Sequence, residues 1–267
     1  MESRTVRVRH LSSRENPVYK RLRSLREGGR SGRESGLMLL EGPHLLSAAL
    51  AAGQRAELLA LRKTWESDEE IRSLVAMADA PELVVMDDSL FRDLSDLVSP
   101  PRLLAILGIP ERRQGPEAGN CVVLCGIQDP GNAGTILRSA AAAGIGQAVF
   151  TKGSVAAWSP RVLRAGQGAH FALRIVETAD LAASLSGYAG RIVATVARGG
   201  RPPWAIDLTG PVAWLFGSEG AGLPDEATRL ADTLVTLPMA AASESLNVAA
   251  AAAVCFFEAV RQTEVST

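Results

Sequence analysis

Cysteine is scarce in this chain: Cys121, Cys125 and Cys255 are an odd set without Cys-x-x-Cys spacing. That count argues against a disulfide framework or a zinc ribbon, and each cysteine lies in or beside an apolar run as a small buried hydrophobe. Histidine is as scarce. His10, His44 and His170 are far apart and none has His-Glu-x-x-His or finger spacing, so no metal and no metal-dependent mechanism is expected. No apolar run approaches the roughly 20 residues of a membrane span. The N-terminus lacks the apolar core of a secretory signal, so a cytoplasmic protein with no membrane association is expected. Lysine is nearly absent, three residues against 25 arginines. With so general a bias, no arginine carries weight merely for being one.

What is present suits a folded, soluble chain. At 47 % hydrophobic and 21 % charged residues, 267 residues make one large domain or two modest ones. Net charge is −1, which by itself argues against nucleic acid, but the charge is uneven. Residues 1–33 hold ten Arg and Lys against three Glu, while 34–113 are net acidic. The basic N-terminus is open to two readings: an electrostatic footprint for a phosphate backbone, or a solvated, partly flexible arm.

Two halves are separated by Ile109–Gly119, two prolines and two glycines among charges. The expected domains are 1–108, a linker at 109–119, and 120–267. In the first half Asn16-Pro17 opens a helix ending near Gly28, and strands near 36–40, 57–61, 83–86 and 103–107 alternate with helices near 43–53, 68–77 and 89–94. In the second, strands at 121–125, 148–150, 172–176, 191–196, 212–216 and 233–237 alternate with helices, the last about 247–261. Apolar strands between helices predict an α/β fold with a mostly parallel sheet covered on both faces.

Three polar loops follow predicted strands directly: Gly126–Asn132, Gly217–Leu223 and Pro238–Asn247. Open α/β sheets bind ligands at such C-terminal strand ends. None contains Gly-x-Gly-x-x-Gly or a phosphate-binding Gly-x-x-x-x-Gly-Lys loop, which leaves out the standard dinucleotide and nucleotide signatures. Each feature has a plainer reading. Gly217, Gly220 and Gly222 can serve a tight turn, Asn132 can be a helix cap, Glu219 a solvent-facing turn charge, and Ser245 or Asn247 a cap of the last helix.

The residues nonetheless form a pattern. Asn132-x-Gly-x-x-x-Arg138, Leu215-Phe-Gly-Ser-Glu-Gly-Ala-Gly-Leu-Pro224 and Leu237-Pro-Met-x(5)-Ser-Leu-Asn247 resemble, in order and spacing, the three signature motifs of the SpoU/TrmH family. These are S-adenosylmethionine-dependent RNA ribose 2′-O-methyltransferases of the SPOUT class. The resemblance covers roughly 120–262, and Val254–Gln262 is similar to the family's final helix. Ser12–Lys20 and Leu39–Gly42 are similar to the start of a small, ribosomal-protein-like RNA-binding domain that many members carry. The resemblance implies a parallel sheet with a deep trefoil knot, and a homodimer.

It further implies roles for single residues. Gly217, Leu237, Leu246 and Thr195 would line the cofactor pocket. Arg138 would be the catalytic residue, aided by Asn132, Glu219, Ser245 and Asn247. Arg14, Lys20, Arg21 and Arg23 would contact RNA phosphates. A guanidinium is almost always protonated, so Arg138 has two open roles: a perturbed base, or a cation clamping phosphate and developing alkoxide. The expected substrate is ribosomal RNA of the large subunit, otherwise transfer RNA. The alternatives are a catalytically idle RNA-binding or ribosome-assembly factor on the same fold, a Rossmann-type methyltransferase, and an NAD-linked oxidoreductase. The last two lack their glycine-rich loop.

Overall fold

A computed structural model describes residues 7–28, 35–95, 99–110, 118–240 and 245–265. Chain contacts sort into two units, the first holding residues up to Pro110 together with Trp158–Phe171, the second holding the remainder.

The first unit is built on alternation. Strands β1 (Arg7–Leu11), β2 (Leu37–Glu41), β3 (Ala56–Arg62), β4 (Glu82–Met86) and β5 (Leu103–Gly108) form one sheet in the order β1-β4-β3-β5-β2. The β1, β3 and β4 strands run parallel, and β5 is antiparallel to both neighbours. Successive side chains point to opposite faces, so both faces of the central strands are apolar. Leu58, Ala60, Val84 and Ile106 meet helices α1 (Pro17–Arg26) and α4 (Asp88–Asp93) through Tyr19, Leu22 and Phe91. On the other face Leu59, Leu61 and Val85 meet α2 (Pro43–Ala51) and α3 (Glu69–Ala78) through Leu46, Ile71 and Leu74. Asn16 caps α1, its side chain accepting the Val18 N–H at 2.9 Å, and Asp68 caps α3 through the Ile71 N–H at 3.3 Å.

One reading of the basic N-terminus is corrected here. Arg7–Leu11 is no free arm but an edge strand in parallel register with Glu82–Met86, with Arg9 bonded to Glu82 at 2.7 Å. The backbone ladder holds it, and Val8 remains 46 % exposed. Among its described side chains only Leu11, at its end, is buried in the core, so the alternating apolar signal of a strand is weak, and charged side chains are common on edges. Most of the expected linker, residues 111–117, lies outside the described residues.

The second unit carries β6 (Cys121–Cys125), α5 (Pro130–Ala142), β7 (Gln147–Thr151), α6 (Pro160–Gly166), β8 (Arg174–Thr178), α7 (Leu181–Leu185), β9 (Arg191–Thr195), β10 (Val212–Gly217), α8 (Asp225–Leu230), β11 (Thr233–Val235) and α9 (Val248–Val265), except that α6 sorts with the first unit. Its six strands are all parallel, in the order β11-β9-β10-β6-β7-β8. Cys121, Val123, Ala213 and Leu215 face α7 and α8. On the opposite face Trp214 and Phe216 meet Phe256 of α9, with ring centroids 6.4 and 5.6 Å away. The α9 helix packs on α5.

The single sequence boundary at 109–119 did not anticipate that α6, which lies between β7 and β8 in the chain, packs with the first unit. Leu163 joins the core on its α2–α3 face, and Arg164 bonds Glu41 at 2.8 Å, where the Glu41 side chain is only 3 % exposed.

Candidate active site

The three polar loops do emerge at the C-terminal ends of β6, β10 and β11. In the first, Asp129 and Pro130 start α5: Asp129 Oδ1 accepts the Asn132 N–H at 2.7 Å, and Pro130 occupies the first helical position. Asp129, not Asn132, is the cap. The Asn132 side chain is thereby released, and it joins the three loops. Its amide donates to Glu219 Oε1 of the second loop, and its carbonyl accepts from Asn247 Nδ2 of the third at 2.9 Å. Asn247 serves twice, since its own Oδ1 accepts the Ala249 and Ala250 N–H groups at 2.9 and 3.2 Å and caps α9.

This network borders a cavity of about 490 Å³. Its lining includes all four expected cofactor residues, Thr195, Gly217, Leu237 and Leu246, together with Glu219, Ser245 and Asn247. Thr195 donates its hydroxyl to the Leu215 carbonyl at 2.8 Å, turning that group into the sheet. The second loop closes on itself: Ser218 and Gly222 exchange backbone hydrogen bonds at 3.1 and 2.9 Å. A Cβ at Gly217 would collide with the backbone of Gly222 and Leu223, and Gly222 has φ +67°. Glycine is required at both places, as the tight-turn reading expects.

Arg138 is placed apart. It lies on α5, exposed, outside the cavity lining, and has no side-chain bond to a described residue. Six residues turn a helix by about 600°, so Arg138 and Asn132 occupy different faces. The four expected RNA contacts lie in the first unit, each in an exposed ion pair: Arg14 with Asp93, Lys20 with Glu15, Arg21 with Glu57 and Arg23 with Glu27, at 2.5–3.0 Å.

Two contributors escaped the sequence reading. Asp129 was identifiable, because an acidic residue before proline at a strand–helix junction is a capping signature. Cys255 of α9 lines the cavity, and nothing local distinguishes it from an ordinary core cysteine. Burial pushes its thiol up to about 12, so it serves as an apolar wall.

The pattern of the SpoU rRNA Methylase family matches residues 119–257, and that of the MRM3-like substrate binding domain matches residues 16–105. An uncharacterized tRNA/rRNA methyltransferase of Synechocystis sp. is 33 % identical over 97 % of this chain and 96 % of its own length. The 23S rRNA (guanosine-2′-O-)-methyltransferase RlmB of Pseudomonas putida is 34 % identical over 73 % of this chain and 81 % of its own. The crystal structure of the SpoU methyltransferase AviRb from Streptomyces viridochromogenes in complex with AdoMet superimposes with a TM-score of 0.85, at 28 % identity, covering 94 % of this chain and 99 % of that one. With the family pattern over more than half its length and a relative aligned over nearly all of it, this chain belongs to the SpoU rRNA methylase family.

Proposed function

We propose that the protein transfers a methyl group from S-adenosylmethionine to a ribose 2′-hydroxyl of ribosomal RNA, in the large subunit. The observation that carries this reading is the Glu219–Asn132–Asn247 network at the border of the 490 Å³ cavity. The cavity lies within the size range of small-molecule sites, and the Gly217–Gly222 loop forms part of its wall. Gly217, Leu237, Leu246 and Thr195 would hold the cofactor, whose sulfonium supplies an activated methyl group and leaves as a neutral thioether. The RlmB relative, named for guanosine 2′-O methylation of 23S rRNA, supports the substrate class.

The chain's own residues must orient the hydroxyl and stabilise the charge that develops on its oxygen as its proton passes to solvent. Orientation alone is worth several kcal/mol in such reactions. Glu219 fixes the Asn132 amide, Asn132 fixes Asn247, and Ser245 stands beside them on the third loop. Arg138 acts as a cation on the phosphate and the developing alkoxide, because a guanidinium is a strong donor and a poor base. The protein works in the cytoplasm as a homodimer. Support for the dimer is the exposure of Val254 and Phe257 on α9, the helix that packs on α5. Residues 1–108 bind the RNA, 109–119 link, and 120–267 carry the reaction in a knotted sheet. The segment Gly200–Arg201, pressed on the backbone of Val235 and Thr236, supports the tight crossing that a knot requires.

The test is transfer of labelled methyl from S-adenosylmethionine to RNA of a strain lacking this protein. Alkali-stable label in one ribosomal RNA, absent with Arg138→Ala, is expected. Labelled transfer RNA would redirect the substrate, and no label with no cofactor binding would leave an idle binding protein.

A further inference from the structure

The cations expected to grip RNA are bound to carboxylates, while other cations stand free. In the second unit Lys152 and Arg198 are exposed, and their side chains have no hydrogen bond or ion pair with a described residue. Both follow strand C-termini, on the edge that carries the cavity.

Lys152 follows β7 in a turn completed by Gly153 at φ +89°. That turn is laced to the loop bearing Asn132. The Gly126 N–H donates to Thr151 Oγ1 and Ser154 Oγ at 3.2 and 3.0 Å, and the Val155 N–H donates to the Ile127 carbonyl at 2.8 Å. Arg198 is the apex of an arch after β9, and both feet of the arch are pinned. Val196 donates its N–H to the Val235 carbonyl at 2.8 Å, Gly200 donates its N–H to Thr236 Oγ1 at 2.9 Å, and that hydroxyl donates to the Val196 carbonyl at 3.0 Å. Thr195, Val196 and Ala197 line the cavity, and the exposed Arg198 that follows them does not.

These are two cations on fixed backbone whose side chains have no partner among the described residues. The carboxylates on the same edge are already engaged, Asp129 with the Asn132 N–H and Glu219 with the Asn132 amide. In the sheet, β9 and β7 flank the β10–β6 pair, three strand spacings apart. At about 4.8 Å per spacing the two loops arise roughly 14 Å from each other, too far to share one phosphate. A ligand that satisfies both must carry several phosphates along a chain.

Building on the RNA methylation reading above, we propose that Arg198 and Lys152 bind two phosphodiesters of the substrate strand, one on each side of the nucleotide presented between β6 and β10. They are positioning residues. They add affinity and set register at the reacting edge.

The experiment uses the full-length protein and deproteinised, unmodified ribosomal RNA from a strain lacking it. Wild type, Arg198→Ala, Lys152→Ala, the double variant, Arg198→Lys and a charge control, Arg229→Ala on α8, are compared. Each alanine at 198 or 152 is expected to raise KM for RNA about three- to tenfold and to make the slope of log K against log salt shallower by about 1. Maximal turnover at saturating RNA and S-adenosylmethionine affinity stay within about twofold of wild type. Arg198→Lys restores the slope, and Arg229→Ala leaves both RNA readouts unchanged. Unaltered RNA KM and salt slope in the double variant overturn the proposal. So does weakened cofactor binding by Arg198→Ala, which assigns the guanidinium to the cofactor, or an equal slope change in Arg229→Ala, which assigns the effect to bulk charge. Wild-type protein that transfers no label to RNA sinks the methylation reading as well; active wild type with matching variants sinks this proposal alone.

Discussion

Asn132 is the residue on which the proposed reaction turns, because a single amide joins three loops from distant parts of the chain. Its two halves are used in opposite senses, donating to Glu219 and accepting from Asn247. Replacement of Glu219 by glutamine keeps the shape and removes the charge. It is expected to lower turnover about 10- to 100-fold while leaving cofactor affinity nearly unchanged, measured by single-turnover transfer and equilibrium binding. Equal losses in both would make Glu219 a structural residue. Gly217→Ala has the opposite signature. Its Cβ has no room against Gly222 and Leu223, so cofactor affinity is expected to fall at least about tenfold, with stability reduced by about 1–3 kcal/mol. Glu219 and Gly217 were both legible as candidates from the second loop alone. That the freed Asn132 side chain meets Glu219 and Asn247 was not, because only the chain's path brings those loops together.

At the scale of elements, the helix signals were the most readable. Asn16-Pro17 and Asp68 open helices where local chemistry places them. Asn247 couples an element to the site, since one side chain caps α9 and orients Asn132. Asn247→Asp retains the acceptor for Ala249 and Ala250 but loses the amide donor. Its stability in urea is expected to match wild type within about 0.5 kcal/mol, with turnover impaired, whereas Asn247→Ala costs about 1 kcal/mol as well. An Asp variant as unstable as the Ala variant would place the amide donor in folding instead. Strand β1 was the element hidden from the sequence. Apart from Leu11 in the core, it is held by a backbone ladder to β4, and a ladder leaves no trace in hydrophobic periodicity.

At the scale of the whole molecule, burial of charge and of thiols sets the response to mutation and pH. Glu41 is held in the interior of the first unit by Arg164 of α6. Arg164→Ala removes a charged partner of that buried carboxylate and is expected to cost about 1.5–3 kcal/mol, read from chemical unfolding, with Leu163→Ala adding a cavity on the same helix. Burial pushes Cys121, Cys125 and Cys255 up to about 12. An unfolded thiol ionises near 8.5, so the stability these groups contribute is whole below that pH and is lost as pH rises towards 12. The urea midpoint is therefore expected to fall between pH 9 and about 10.5 and to fall less in a variant with all three changed to alanine. Identical slopes would move the alkaline sensitivity to other groups.

By itself the sequence determined the element types, the parallel character of the second sheet and the three polar loops at strand ends, because periodicity, caps and turn residues act within a few residues of one another. Only the tertiary structure decided that Asn132 faces Glu219 and Asn247, that α6 packs with the first unit, and that Arg14, Lys20, Arg21 and Arg23 are paired while Lys152 and Arg198 stand free. Those outcomes depend on which distant side chains the fold makes neighbours. Hydrogen bonds and ion pairs act over a few ångströms of space, irrespective of the number of residues between their partners in the chain.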